Sequence, residues 1–359
     1  MKLARTTAAL SGVVLAATLA ACGGSTGNPN AGGGGGATGG AAPAGDCSSA
    51  EVFCVGMVTD MGSVDDKSFN QSAWEGIEAA AKQSGAQTKY IQTTDTKDYA
   101  SNLKQFTDKK YDVIVTVGYV MAEATTTAAT ANPQTKFIGV DQAQAKVTDN
   151  VAGLVFPEDQ AGYSAGYLAG LMTKTNKVAQ VLGMQIPPVE KYAKGFEAGA
   201  KAANSTSNVS IVYHPAGDNA FSDPVWGANA AKQQLAQGAD VVFGAGGKTG
   251  NGALGEVAKA KGAGTSTYCI GVDTDQWLTV PEAHPCLVTS ATKLISKGTS
   301  ELIMQAKDGK MKGGDFTGDV GLAPFHDFDA KLPPDVKTKV GAVVKGLSDG
   351  SIKTGVTLG

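Results

Sequence analysis

One unit of this sequence occurs twice, and the duplication restricts the fold more than any other feature. Gly76-Ile77-Glu78-Ala79-Ala80-Ala81-Lys82 recurs as Gly195-Phe196-Glu197-Ala198-Gly199-Ala200-Lys201. Asp112-Val113-Ile114-Val115 recurs as Asp240-Val241-Val242-Phe243, and Ile138-Gly139-Val140-Asp141 as Ile270-Gly271-Val272-Asp273. The order is the same, and the spacing widens in small steps, as short insertions would make it. Between these marks, apolar runs rich in β-formers alternate with helical patterns. Strands are expected at Val55–Thr59, Thr88–Thr93, Asp112–Thr116, Lys136–Val140 and Val151–Phe156. The second copy predicts them at Val178–Leu182, Val209–Tyr213, Val241–Phe243 and Tyr268–Val272. Helices are expected at Tyr99–Thr107, Ala122–Thr130, Asp159–Met172, Tyr192–Ala203, Val225–Gln237, Ala253–Lys261, Leu294–Ala306 and near Pro334–Leu347. Such alternation builds parallel sheets. The expectation is an α/β fold of two doubly wound parallel-sheet lobes joined by a hinge, with strand ends facing a shared cleft. Gly162, Gly166 and Gly170 fall on one helix face, where another element can pack closely.

The N-terminus reads differently. Met1–Ala21 carries Lys2 and Arg5 ahead of an apolar stretch too short to span a bilayer, the pattern of a signal peptide. Its end, Leu19-Ala20-Ala21-Cys22, resembles the lipobox of bacterial lipoproteins, which predicts cleavage before Cys22 and lipidation of its thiol. The stretch that follows is nearly all Gly, Ala, Ser, Thr, Asn and Pro and cannot bury a core, so it reads as a flexible tether. The expected division is a signal peptide over 1–21 and a lipidated, tethering segment over 22–50. A first lobe covers 51–157 with a returning segment at about 291–318, and a second lobe covers 158–290 with a C-terminal segment at about 319–359. This places the globular part at the extracytoplasmic face of a cell membrane, held by a lipid anchor. The formal charge of −3, made more negative by loss of Lys2 and Arg5, provides no basic patch for nucleic acid.

The run Val55–Lys82 reads as strand, polar loop and helix. Asp60 stands where the strand ends, Asp65 and Asp66 follow in the loop, and Ser68 with Gln71 forms a capping-box pattern. Asp60, Phe69 and Asn70 thereby meet at the carboxyl end of a strand and the first turn of a helix, the place where open α/β sheets bind ligands. An acid, a ring and an amide suit a polar ring compound better than a phosphate; an ordinary βα loop with solvated polar residues is the alternative. Arg5 is the only arginine and leaves with the signal. Without the usual clamp for carboxylate and phosphate, a neutral, hydroxyl-rich or cationic ligand is favoured.

Besides Cys22 there are Cys47, Cys54, Cys269 and Cys286, an even number that suits disulfides in an exported chain. Three pairings are open; proximity in sequence favours Cys47–Cys54 and Cys269–Cys286. No spacing suits zinc, and His214, His284 and His326 are scattered, so neither metal nor cofactor is expected. Gly162-Tyr163-Ser164-Ala165-Gly166 matches a nucleophile elbow, but Ser164 should lie inside a helix rather than on a turn after a strand. Gly247-Lys248-Thr249 resembles the end of a P-loop, yet Val242 stands where that motif needs glycine.

The run MVTDMGSVDDKSFNQSAWEG, with FIGVD, GAGGKTGNG and CIGVDTDQ followed by a helical lysine, resembles the basic membrane lipoprotein family of ABC-transporter substrate-binding proteins, of the PnrA-like purine nucleoside type. The resemblance covers roughly residues 52–355. It implies a type I periplasmic-binding-protein fold, a nucleoside in the cleft, an ABC permease as partner and no catalysis. Carried over by position, Asp60 and Asn70 would bond the base and Phe69 would stack on it. Phe243 would be the second ring, with Tyr119, Trp226 and Trp277 as other aromatics near the cleft. Asp141 and Asp273 would accept from polar groups of the nucleoside, Asp273 from ribose. Lys293 would complete the ribose site, and Gly246 and Gly247 would bring backbone amides near the sugar. The family's loop usually reads AGGTGNG; here Lys248 is inserted between Gly247 and Thr249, which bears on the loop contacts and on the 5′ position.

The expected function is capture of a purine nucleoside between the lobes and delivery to the permease by a monomeric lipoprotein. A surface sensor or adhesion lipoprotein of the same fold, or a receptor for another small polar ligand such as a sugar, is the alternative.

Overall fold

The computed structural model describes residues 46–358. The signal segment, Cys22 and most of the tether lie outside the described residues. From the first strand onward, apolar β-branched runs too short for helices form strands, and the stretches between them form helices. The elements are β1 (Cys54–Thr59), α1 (Phe69–Ser84), β2 (Gln87–Ile91), α2 (Tyr99–Thr107), β3 (Val113–Val117), α3 (Ala122–Ala131), β4 (Lys136–Val140) and β5 (Val151–Val155). There follow α4 (Glu158–Met172), β6 (Lys177–Met184), α5 (Pro187–Ala203), β7 (Asn208–His214), α6 (Pro224–Ala236), β8 (Val241–Ala245), α7 (Gly247–Lys259) and β9 (Tyr268–Asp273). The last are α8 (Gln276–Thr279), β10 (Leu287–Lys293), α9 (Ile295–Lys307), β11 (Gly314–Thr317), β12 (Val320–Leu322) and α10 (Pro334–Ser348).

The strands form two six-stranded sheets, ordered β11-β5-β4-β3-β1-β2 and β12-β10-β9-β8-β6-β7. All pairings are parallel except β12 with β10. Every residue of β1, β3 and β8 is buried, as helices on both faces require. This is the two-lobed, doubly wound α/β fold expected from the repeat. The chain passes between the sheets three times: from β5 into α4, from β10 into α9, which packs on α1, and from β11 into β12. At the last passage Gly318 N donates to Val155 O and Leu294 N to Asp319 O, at 2.8 and 2.9 Å.

Two helices begin earlier than their sequence pattern suggests. α5 starts at Pro187, whose fixed φ suits a first turn, rather than at Tyr192. α7 starts at Gly247 rather than Ala253, so the glycine-rich stretch is the first turn of a helix. Glycine's low helix propensity hid that turn, which tertiary contact forms regardless. Between α9 and α10, where the sequence pattern predicts no strand, lie two edge strands, β11 and β12. On α4, a Cβ at Gly162, Gly166 or Gly170 would collide with backbone of α5 near Tyr192, Phe196 and Ala200. Serial glycines therefore set the spacing of this helix pair. Ser164 lies within α4 and donates to Gln160 O at 3.0 Å, which leaves no nucleophile elbow. Cys47–Cys54 and Cys269–Cys286 are disulfide-bonded, the pairing favoured by proximity. Among the described residues no helix is long and apolar enough to cross a membrane.

Candidate functional site

The carboxyl ends of both sheets open onto one cleft. From the first lobe come Asp60, Phe69, Asn70, Gly118, Tyr119 and Asp141. From the second come Tyr192, Phe221, Gly246, Gly247, Asp273 and Lys293. The structure thus brings together eight of the nine residues carried over to the ligand, all but Phe243.

Phe243 requires correction. It is 0 % exposed and stacks on Phe196, ring centroids 5.2 Å apart and planes 6° from parallel. Side chains alternate along a strand, and Phe243 faces the helix-covered core under α5 rather than the cleft. The second lobe's cleft aromatics are instead Phe221, in the loop before α6, and Tyr192. Trp226 packs on His214, and Trp277 lies against His284 and His326, so of the other aromatics considered only Tyr119 lines the cleft.

Asp141 and Asp273, the repeated acids at the ends of β4 and β9, both adopt left-handed backbone, with φ of 60° and 64°. Non-glycine residues rarely do this, and such strain concentrates at functional sites. Their neighbours hold them there. Gln142 Nε2 donates to Gly118 O, and Gln276 Oε1 accepts from Val272 N, at 3.0 and 2.9 Å.

Lys293 is buried with its Nζ 2.6 Å from Asp141 Oδ2 and 3.6 Å from Glu158 Oε1. It also lies 4.9, 5.4 and 5.6 Å from the ring centres of Phe69, Phe156 and Tyr192. Burial opposes its charge, but Asp141, Glu158 and Asp273 outweigh it and raise its pKa. The acids around it exceed this single charge. Burial pushes Asp60 up to about 7, with the charges of Asp66 and Asp141 adding to the effect. Burial likewise takes Glu158 to about 7 against the pull of Lys293, and raises Asp273. Asp66 reaches about 6, burial outweighing the backbone N–H groups it accepts from. No donor among the described residues reaches the Asp60 carboxylate, and a Cβ at Gly118 would overlap it. Asp141 Oδ1 and Asn70 Oδ1 are buried without partners among the described residues. Buried acceptors left open are costly unless a ligand donates to them.

The capping box also takes another form. Ser68 is the N-cap residue of α1 but its side chain makes no cap bond. Asp66 caps the helix instead, accepting from Ser68 N, Asn70 N and Gln71 N at 2.9, 2.9 and 3.1 Å. The Ser68 hydroxyl is thereby free to reach the other lobe. The loop that carries it is gripped from that side: Asn251 Nδ2 donates to Asp66 O, Thr279 Oγ1 to Lys67 O, and Lys248 Nζ lies 2.8 Å from Asp65 Oδ1. The inserted lysine is thus a contact between the lobes, and no phosphate loop is formed: the neighbouring Thr249 hydroxyl donates to Ala220 O.

Sequence reading missed Glu158, Phe221 and the capping role of Asp66. Glu158 follows Pro157 at a helix start, where an acid needs no further reason. Phe221 sits in a loop without periodicity.

Residues 53–320 match the family described as ABC transporter substrate-binding protein, PnrA-like. The chain is 33% identical over 326 residues to the CD4+ T-cell-stimulating antigen of Listeria innocua, covering 86% of this chain and 90% of that protein. It is 34% identical over 272 residues to the ABC transporter nucleoside-binding protein BmpA of Lactococcus lactis, covering 72% and 76%. Among solved structures, an ABC transporter solute-binding protein from Aeropyrum pernix superposes with a TM-score of 0.76 at 23% identity, over 84% of this chain and 92% of that one. At that identity the likeness speaks for the fold alone.

Proposed function

The chain belongs to the PnrA-like family of ABC transporter substrate-binding proteins, and we propose that it captures a purine nucleoside between its lobes and presents it to a permease without chemical change. The observation that carries this reading is the cleft's donor-poor, carboxylate-rich wall beside aromatic rings. Asp60, Asn70, Asp141 and Asp273 accept, while Phe69 from one lobe and Phe221 from the other supply flat apolar surface. A nucleoside matches this: its hydroxyls and ring N–H groups donate, and its base stacks. The one buried lysine among the described residues is paired with Asp141, which leaves no free cation for a phosphate. Asp141 and Asp273 are assigned to nucleoside polar groups, Asp273 to ribose with Lys293 beside it, and Gly246 and Gly247 to close backbone approach. The Lactococcus relative named as nucleoside-binding supports the same ligand class.

The N-terminal sequence supports export and a lipid anchor through Cys22 at the membrane's outer face. Titration calorimetry of ligand-stripped protein with guanosine, adenosine, cytidine, uridine and ribose tests the ligand. Micromolar or tighter binding of a purine nucleoside, with ribose silent, is expected. Binding of ribose alone would favour a sugar receptor, and silence with all five would refute the reading.

A further inference from the structure

His214 ends β7 and Asp223 caps α6, so the two residues stand at the feet of the loop 215–222. That loop brings Phe221 to the cleft, its ring seated where a Cβ at Gly183 of β6 would collide with it. The loop also faces the first lobe: Asp218 acts on Lys97 after Asp95 and Asp98, and on Tyr99 after burial and Asp60. Its far half is held by α7, where Lys248 N donates to Phe221 O and the Thr249 hydroxyl to Ala220 O, both at 3.0 Å. Its near half hangs on the stem, where Asn219 Nδ2 donates to Asp223 Oδ2 at 3.2 Å.

One atom of the stem lacks a partner. His214 Nδ1 lies 2.7 Å from Pro215 O, and a carbonyl only accepts, so Nδ1 carries the proton of the neutral ring. Nε2 is then a bare acceptor. It is buried without a partner among the described residues and lies 3.6 Å from Asp223 Oδ2. The Trp226 ring, its centroid 4.6 Å from that of the imidazole, packs against it. Two acceptors thus face each other, and a proton on Nε2 turns their conflict into a charge-assisted bond. Asp223 is ionised to receive it: the Trp226 N–H holds its carboxyl below the usual range, against burial, and His214 acts in the same sense.

We propose that His214 is a positioning residue for the cleft: its imidazolium ties the feet of the 215–222 loop through Asp223 and so sets Phe221 against the ligand, while the neutral ring leaves the stem untied. The effect on affinity rests on the nucleoside reading above; the stem itself does not. Asp223 at the start of α6 is the acid within ion-pair reach of the ring, and no lysine pairs with that acid among the described residues. β6 places Met184 beside His214. Glu190 and Glu197 of α5 face Tyr213, whose side chain lies on the opposite face of β7. Asp218, within the loop, faces the first lobe.

The test is calorimetry on the full, ligand-stripped chain with guanosine and adenosine at about pH 5.5 and 8, on either side of the range in which histidine titrates. Wild type is compared with His214→Asn, which keeps a donor for Pro215 O and takes no charge. Asp60 and Glu158 titrate at about 7 in both proteins, so the quantity read is the ratio of the two affinities at each pH. The ratio should be near unity at the alkaline end and favour wild type by about fivefold or more at the acid end. By reciprocity, saturating guanosine should raise the pH at which the wild-type His214 ring titrates, read by NMR, and this decides if the variant does not fold. A ratio equal at both pH values marks a merely structural histidine and overturns the proposal, as does a ring titration unmoved by ligand. Silence with both nucleosides overturns the nucleoside reading, and amide hydrogen exchange in the empty loop then decides this one. Slower exchange in wild type than in His214→Asn at the acid end alone supports the tied stem; equal exchange at both ends overturns it.

Discussion

Ser68 Oγ donates to Asp273 Oδ2 at 2.7 Å, so a residue at the start of α1 in one lobe is bonded to the left-handed aspartate at the end of β9 in the other. The bond exists only while the lobes are together. This contact between the lobes and the ligand wall are built on one segment, because the loop that bears Ser68 also bears Asp66 and leads into Phe69 and Asn70. Removing the hydroxyl should weaken the closed form. Ser68→Ala is expected to lower nucleoside affinity by about 1–2 kcal/mol, as for loss of a bond to a charged acceptor. Its melting temperature should hardly move. Calorimetry alongside a thermal melt checks both, and an unchanged affinity would mean that the bond does not contribute to holding the lobes.

The aromatic residues separate binding from stability. Phe69→Ala should cost about 1–3 kcal/mol of ligand binding through lost stacking. Phe243→Ala should instead cost about 3–5 kcal/mol of folding stability by opening a cavity against Phe196. Denaturant unfolding and ligand titration of the two variants would distinguish these outcomes. Equal loss of stability in both would contradict the assignment of Phe69 to the cleft.

The acid cluster sets the pH dependence of the empty protein. Asp60 and Glu158 titrate at about 7 and Asp66 at about 6 when folded, against roughly 4 when unfolded. Between those limits the folded state holds more protons than the unfolded one, so stability falls as pH rises. The surface acids with lowered values, such as Asp65 and Asp335, act below this window. Thermal melts from about pH 5 to 7.5 should therefore show the ligand-free chain more stable at the acid end, and Asp60→Asn should flatten the slope. A stability that rises across this range would show the carboxylates to be better solvated than the cleft geometry implies.

Lys248 and Asp65 form an exposed pair between the lobes, with side chains 35% and 72% accessible. Such pairs contribute at most about 1 kcal/mol and are screened by salt. Lys248→Ala should weaken nucleoside binding by less than about 1 kcal/mol at low salt, and the difference should vanish near 1 M salt. A larger, salt-insensitive loss would place Lys248 on the ligand itself.

Much of this molecule is legible in its sequence because period and repetition are local properties. The repeated units at Gly76 and Gly195, Asp112 and Asp240, and Ile138 and Ile270 announce two parallel sheets without reference to any contact. The acids at the ends of β4 and β9 follow directly, since a strand end in such a sheet opens onto the cleft. Sequence proximity also favoured the two disulfides that are observed. What tertiary structure decided is the direction in which individual side chains point. Phe243 and Phe221 are both aromatic residues near the glycine-rich turn, and only strand register sends the first into the core and the loop path brings the second to the cleft. Ser68 matches a capping pattern, yet Asp66 takes the helix amides and releases the hydroxyl to Asp273, because that acid approaches only when the second lobe is in place. Glu158 reads as a helix-start acid and stands beside Lys293, a partner far along the chain. Local sequence determines element type through side-chain periodicity, whereas the pairing of charges and the facing of rings depend on contacts between distant segments, and these arise only when the two lobes fold together.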